Sequence, residues 1–144
     1  MSDYMMDFTG ESLDDGRELV AVDEGEYTVQ IKDWKSDDDG KIRLIDTNGN
    51  PYMMPILDIV NCEEAEYSKT FTHFLRLPNE DMTAKQRNNA KFQLATFFKA
   101  FGIDYSQPID PESTLGLTAD ALLVMTPDEG YGEQNRVKRF IASH

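Results

Sequence analysis

Rings and cations recur together at a few places in a chain that is otherwise acidic. Lys32, Trp34 and Lys35 close one alternating run, Tyr52 opens a second, and Lys69, Phe74 and Arg76 lie on or beside a third. Tyr131 precedes a last run carrying Arg136, Lys138 and Arg139, while Lys41 and Arg43 add charge between the first two runs. Flat side chains interleaved with cations suit a single nucleic-acid strand. Each stacked base is worth roughly 1–3 kcal/mol, and cations hold phosphates without reading sequence. Each residue also has a purely structural reading. Trp34 is the one tryptophan, and a large aromatic at a strand end equally caps a core. Phe74 faces solvent only if Phe71 and Leu75 face inward, and a slip of one residue would reverse that. On a regular strand Lys138 and Arg139 point to opposite faces, so all three cations of the last run share a surface only where it is twisted.

Other chemistries find less support. Carboxylates are everywhere, so no pair stands out for acid–base work. The chain has no Gly-x-x-x-x-Gly-Lys, no Gly-x-Ser-x-Gly and no paired histidines. Asp37, Asp38 and Asp39 invite a calcium reading, but Lys35 stands where the first ligand belongs and no glutamate closes the loop. His73 has no second histidine or cysteine at ligand spacing and is expected to pack inside the fold. Cys62 has no catalytic partner in sight. No enzyme activity, metal or cofactor is expected.

The elements that must position these residues read mainly as strands. Tyr27, Val29 and Ile31 alternate with Thr28, Gln30 and Lys32, the period of a half-buried strand, which places Trp34 on the Lys32 side. Ser36–Gly40 is a turn, residues 41–45 are extended, and Asp46–Asn50 is a second turn. Residues 52–60 form strand two, with Pro55 marking an edge or bulge. Residues 68–77 form strand three, with Phe71, His73, Leu75 and Leu77 on one side and Thr70, Thr72, Phe74 and Arg76 on the other. From Thr83 to Gly102 the period becomes helical: Leu94, Phe97, Phe98 and Phe101 share a face, Thr83 can cap the start, and Gly102 can end it. Residues 104–115 read as a loop, 118–126 as an apolar strand, and 135–141 as the last strand.

At 144 residues the chain fits one domain. It carries 27 acids and 14 bases, a net charge of -13, and residues 1–24 alone hold 8 acids and 1 base. Residues 1–23 are therefore expected to be an acidic, mobile arm, with Leu19 to Val22 pinned to the body, and residues 24–144 the folded domain. Such a field repels polyanions as a whole, so nucleic-acid binding requires a local basic patch. A single cysteine permits no intrachain disulfide, and no apolar run reaches the length of a membrane span. These features, with an N-terminus that is acidic rather than basic, point to a cytoplasmic protein that does not enter the membrane.

Three strands, a helix and two strands is the order of the OB-fold, a five-stranded Greek-key barrel with its helix between strands 3 and 4. A small α+β sheet with the helix on one face has the same order. Gly25–Ile31 (Gly-Glu-Tyr-Thr-Val-Gln-Ile) and Gly130–Phe140 (Gly-Tyr-Gly-Glu-Gln-Asn-Arg-Val-Lys-Arg-Phe) resemble the opening and close of a family of phage-encoded single-stranded-DNA-binding proteins. The Gly49-Asn50-Pro51-Tyr52 turn, the Phe-Gly-Ile after the helix and Leu115-Gly116 fall where that family has them, so the likeness spans residues 24–141. It implies an OB-fold and a role in replication or recombination within the host cytoplasm. Two departures stand out. Ser36–Asn48 is longer than the family's first loop, which predicts an extended β-hairpin after strand 1. The acidic segment is at the N-terminus rather than in a C-terminal tail, so recruitment of phage or host replication and recombination proteins has no obvious seat.

The reading is thus a mainly β protein that binds single-stranded DNA without sequence preference, by charge and stacking. One rival is an acidic interaction module, or DNA mimic, that binds a basic partner protein. A weaker one is a small nuclease using carboxylates for magnesium. Oligomeric state, site size and DNA-versus-RNA preference are open at this level.

Overall fold

β1 (Gly25–Trp34) is the middle strand of the larger sheet, and its branched residues dictate which way it faces. Val29 and Ile31 are buried, Thr28 and Gln30 point away, and the strand keeps that alternation as far as Ile31. The computed structural model describes residues 6–7, 9–10, 21–64, 67, 69–128 and 132–141. After β1 come β2 (Leu44–Ile45), β3 (Pro51–Met53), β4 (Pro55–Ile59), β5 (Thr70–Thr72) and β6 (Leu75–Arg76). The helices α1 (Ala84–Phe101) and α2 (Pro111–Thr114) follow, then the long pair β7 (Thr118–Asp128) and β8 (Gly132–Phe140).

Five strands form a curled antiparallel sheet in the order β5-β4-β1-β7-β8, half a barrel in shape. The other three make a small sheet in the order β2-β3-β6. Residues 52–60 read as one strand, but the chain from 51 to 59 serves both sheets, with a corner at Met54 between β3 and β4. Pro55, which has no N–H to offer a ladder, begins the second half. Residues 70–76 bend in the same way at His73 and Phe74, so the two segments make one bent hairpin. The extended hairpin expected after β1 is a short one. β2 has two residues, folds back through the Asp46–Asn50 turn, and adds to the small sheet rather than standing alone.

α1 follows its sequence signals closely. Thr83 Oγ1 accepts from the Gln86 N–H at 3.1 Å and Gln86 Oε1 accepts from the Thr83 N–H at 3.0 Å, a reciprocal cap. Gly102 ends the helix with φ at 71°, a conformation that suits glycine. The expected aromatic face is the buried one. Phe97 is fully enclosed, with ring centroids of Trp34, His73, Phe98, Phe101 and Phe140 all within 6.0 Å. Residues 104–115, read as a loop, contain one further turn of helix, α2, capped by the Asp110 side chain at the Glu112 N–H.

The core also takes in the end of the expected arm. Ala21 and Val22 are buried, and Asn135 on β8 clamps Val22 from both sides of its peptide. The Val22 N–H donates to Asn135 Oδ1 at 2.9 Å, and Asn135 Nδ2 donates to the Val22 carbonyl at 3.0 Å. Leu19 and Val20, expected to be pinned alongside, lie outside the described residues.

Candidate nucleic-acid interface

Trp34 is not available for stacking. It is 6% exposed, its ring meets Phe97 edge-on at 6.0 Å, and its Nε1 donates to the buried Thr114 Oγ1 at 2.8 Å. The reason is a β-bulge. On β1, Ile31 pairs with Leu57 and Asp33 with Ile56, which leaves Lys32 as an extra residue. The insertion reverses the alternation, so Lys32 and Asp33 both face water and Trp34 turns into the core. Base stacking by Trp34 is therefore corrected to core packing.

A second site forms where the small sheet meets α1. The rings of Tyr52 and Phe74 stack with centroids 5.1 Å apart and planes at 27°. Tyr52 on β3 pairs directly with Arg76 on β6, and the Arg76 guanidinium carbon lies 4.9 Å from the Phe74 ring centroid. Phe74 is 46% exposed because Phe71 and Leu75 face inward, as the sequence alternation predicts. Arg76 Nη1 also donates to Asp46 Oδ2 at 3.0 Å. The Asp46 carboxyl lies below the usual carboxylate range, held there by the Asn50 N–H, the Arg76 donor and the Asn48 N–H. Arg76 carries five N–H donors, so this partner leaves others free in direction for a phosphate.

Phe74 and Arg76 open onto a groove of about 640 Å³, also lined by His73 and by Gln86, Asn89 and Gln93 of α1. Asp81 is the one carboxylate among its described lining residues. Sequence reasoning does not single out the three amides.

On β8 a second bulge brings the cations to one side. Leu123 pairs with Val137 but Leu122 with Arg139, so Lys138 is the extra residue. Val137 and Phe140 are half-buried against the core, whereas Arg136, Lys138 and Arg139 are all exposed. Lys32, Lys35 and Arg43 are exposed as well. Lys69 is half-buried near Glu64, whose carboxyl is held low by its own N–H and by the Cys62 thiol before the Lys69 charge adds to the effect. Tyr131 lies outside the described residues. The outward side of the larger sheet carries both signs of charge: Glu26, Asp33 and Asp120 are exposed there with Asp58 half-buried, alongside Lys32 on β1 and the three cations of β8.

His73 packs as expected. Its ring is parallel to Phe97 and edge-on to Phe140, and burial pushes its pKa down to about 4, so it is neutral at pH 7. Burial and the Glu64 carboxylate push the Cys62 thiol up, away from the reactive thiolate. Among the described residues no three His, Cys, Asp or Glu side chains are grouped to hold a metal ion, and no helix is long and apolar enough to cross a membrane. Neither a protein-family model nor a curated protein sequence matches the chain.

Proposed function

We propose that the protein binds single-stranded DNA without sequence preference, protecting it during phage replication or recombination in the host cytoplasm, with no chemistry of its own. The observation that carries this reading is the Tyr52–Phe74–Arg76 cluster: a partly exposed ring pair with a guanidinium against it, at the mouth of an open groove. That is the pairing of stacking surface and phosphate donor that single-strand binding needs. The outward cations of β8 add charge without base contacts.

The OB-fold reading belongs here too. Counting β3–β4 and β5–β6 as one bent strand each, the larger sheet runs 3-2-1-4-5 with α1 between strands 3 and 4. In a five-stranded Greek-key barrel strands 3 and 5 come together, and the 5.4 Å approach of the His73 and Phe140 rings supports that reading.

Anisotropy of a labelled 30-mer oligo-dT, titrated at two salt concentrations with duplex as control, tests the proposal. Phe74→Ala is expected to weaken binding at least about five-fold, the low end of one stacked base. Arg76→Gln is expected to flatten the salt dependence by about 0.7 in log K against log salt. Absence of single-strand binding at low salt would overturn the reading. It would favour instead the acidic module that docks on a basic partner protein, which the acids outside the larger sheet suit.

A further inference from the structure

The 18 residues of α1 contain Lys85, Arg87, Lys91 and Lys99 and no aspartate or glutamate, in a chain of net charge -13. Two of these cations have local duties. Arg87 Nη2 donates to the Asn79 carbonyl at 2.8 Å, which ties down the loop before the helix, and Lys99 sits in the last turn where the helix dipole favours a cation. Lys85 and Lys91 are exposed. Phe92, next to Lys91 in the chain, is 63% exposed, although the helix's other phenylalanines are all in the core. Helical spacing explains the arrangement: residues 85, 88, 89 and 92 fall on one face, turned away from the buried Phe97 and Phe101.

Three hollows surround the N-terminal half of the helix and share their walls. Gln86 and Asn89 line both the groove of Phe74 and a shallow hollow beside Lys85 and Phe92. Asn88 joins that hollow to a third one, beside Lys91. The surface thus runs unbroken from ring and guanidinium, over a ridge of amides, to a second ring beside Lys85, and on by way of Asn88 to the hollow beside Lys91. The amides offer donors and acceptors to base edges without repelling phosphate.

We propose that a single nucleic-acid strand leaving the Phe74 groove crosses the outer face of α1, with Phe92 as a second stacking platform and Lys85 and Lys91 as phosphate contacts. This inference rests on the single-strand reading above and names a path for the strand beyond the Phe74 groove. Complementary charge identifies the occupant: a basic strip on an acidic protein attracts a polyanion and is left vacant by other acidic surfaces.

The test is the same 30-mer oligo-dT with two further proteins. Phe92→Ala is expected to lower affinity at least about five-fold, and Lys85→Gln combined with Lys91→Gln to reduce the salt slope by about 1.4, two contacts of about 0.7 each. Neither change touches the core, and circular dichroism melts should match the parent protein. If Phe74→Ala weakens binding while both helix variants bind as the parent does, the path across α1 is wrong and the single-strand reading survives. If the parent protein binds no oligonucleotide at low salt, both fall. Unchanged binding together with a shift in oligomeric state for Phe92→Ala would assign the ring to self-association and overturn the proposal.

Discussion

Between pH 7.5 and pH 4.5 the buried histidine should dominate the loss of stability. His73 lies against the rings of Phe97 and Phe140, and desolvation alone lowers its pKa from 6.5 to about 4. The unfolded chain therefore takes up a proton at this side chain from about pH 6.5 downward, while the folded protein does not until about pH 4. Stability present above pH 6.5 is lost as pH falls through that window and levels off below it. For these two pKa values the loss between pH 7.5 and 4.5 comes to about 2.5 kcal/mol. The carboxyls of Asp46 and Asp104, held low by hydrogen bonds, add their share only at more acid pH. His73→Phe keeps an aromatic ring against Phe97 and Phe140 and removes the titrating nitrogen. Urea unfolding at the two pH values, followed by the fluorescence of Trp34, should show the drop in the parent protein and a much flatter response in the variant. An equal drop in both proteins would refute the assignment of a neutral, desolvated imidazole to this position.

Trp34→Phe removes the hydrogen bond to Thr114 and part of the ring that packs on Phe97, at a cost of about 1–3 kcal/mol in urea unfolding, and it should leave oligo-dT affinity unchanged. A clear loss of affinity with stability intact would return Trp34 to the interface. Asn135→Leu strips both partners from the buried Val22 peptide, at about 1–3 kcal/mol for each polar group left unpaired, and should make the Val22 amide exchange rapidly with solvent. Slow exchange in that variant would show that packing alone holds the segment. Removing residues 1–20 takes away six acids and one base while sparing the buried Ala21 and Val22. Oligo-dT binding should tighten at low salt and match the full chain at high salt, where the field is screened; equal affinities at low salt would count against any screening by this segment.

What could be read in advance tracks what is local. The caps Thr83 and Gly102 and the aromatic face of α1 are fixed within a few residues of chain, and they appear where their spacing puts them. The inward turn of Phe71, His73 and Leu75 follows from strict alternation, which makes Phe74 an outward residue. Trp34 was misplaced because alternation holds only while the register does. The bulge at Lys32 depends on which residues of β4 lie opposite, and nothing within β1 announces it. The bulge on β8 worked the other way, gathering three cations that a regular strand would have divided. The division of residues 51–59 between two sheets was hidden for the same reason, since pairing partners rather than propensity decide where a strand bends. The helix amides and Phe92 were overlooked because polar helix faces are ordinary; their position beside the Phe74 groove exists only in three dimensions.

The Asn135 clamp has a consequence for the order of assembly. Its two partners are 113 residues apart, so Val22 can be secured only after synthesis has passed the last strand. β1 meets the same delay, because its β7 neighbours, from Thr118 to Leu123, also come late. A nascent chain that stops short of Asn135 lacks the clamp on Val22, and one that stops short of Thr118 also leaves β1 with one edge unpaired. The segment at residues 21–22 acts as a latch thrown from the far end of the domain, so an interrupted translation product should be recognisable to proteases by that open edge.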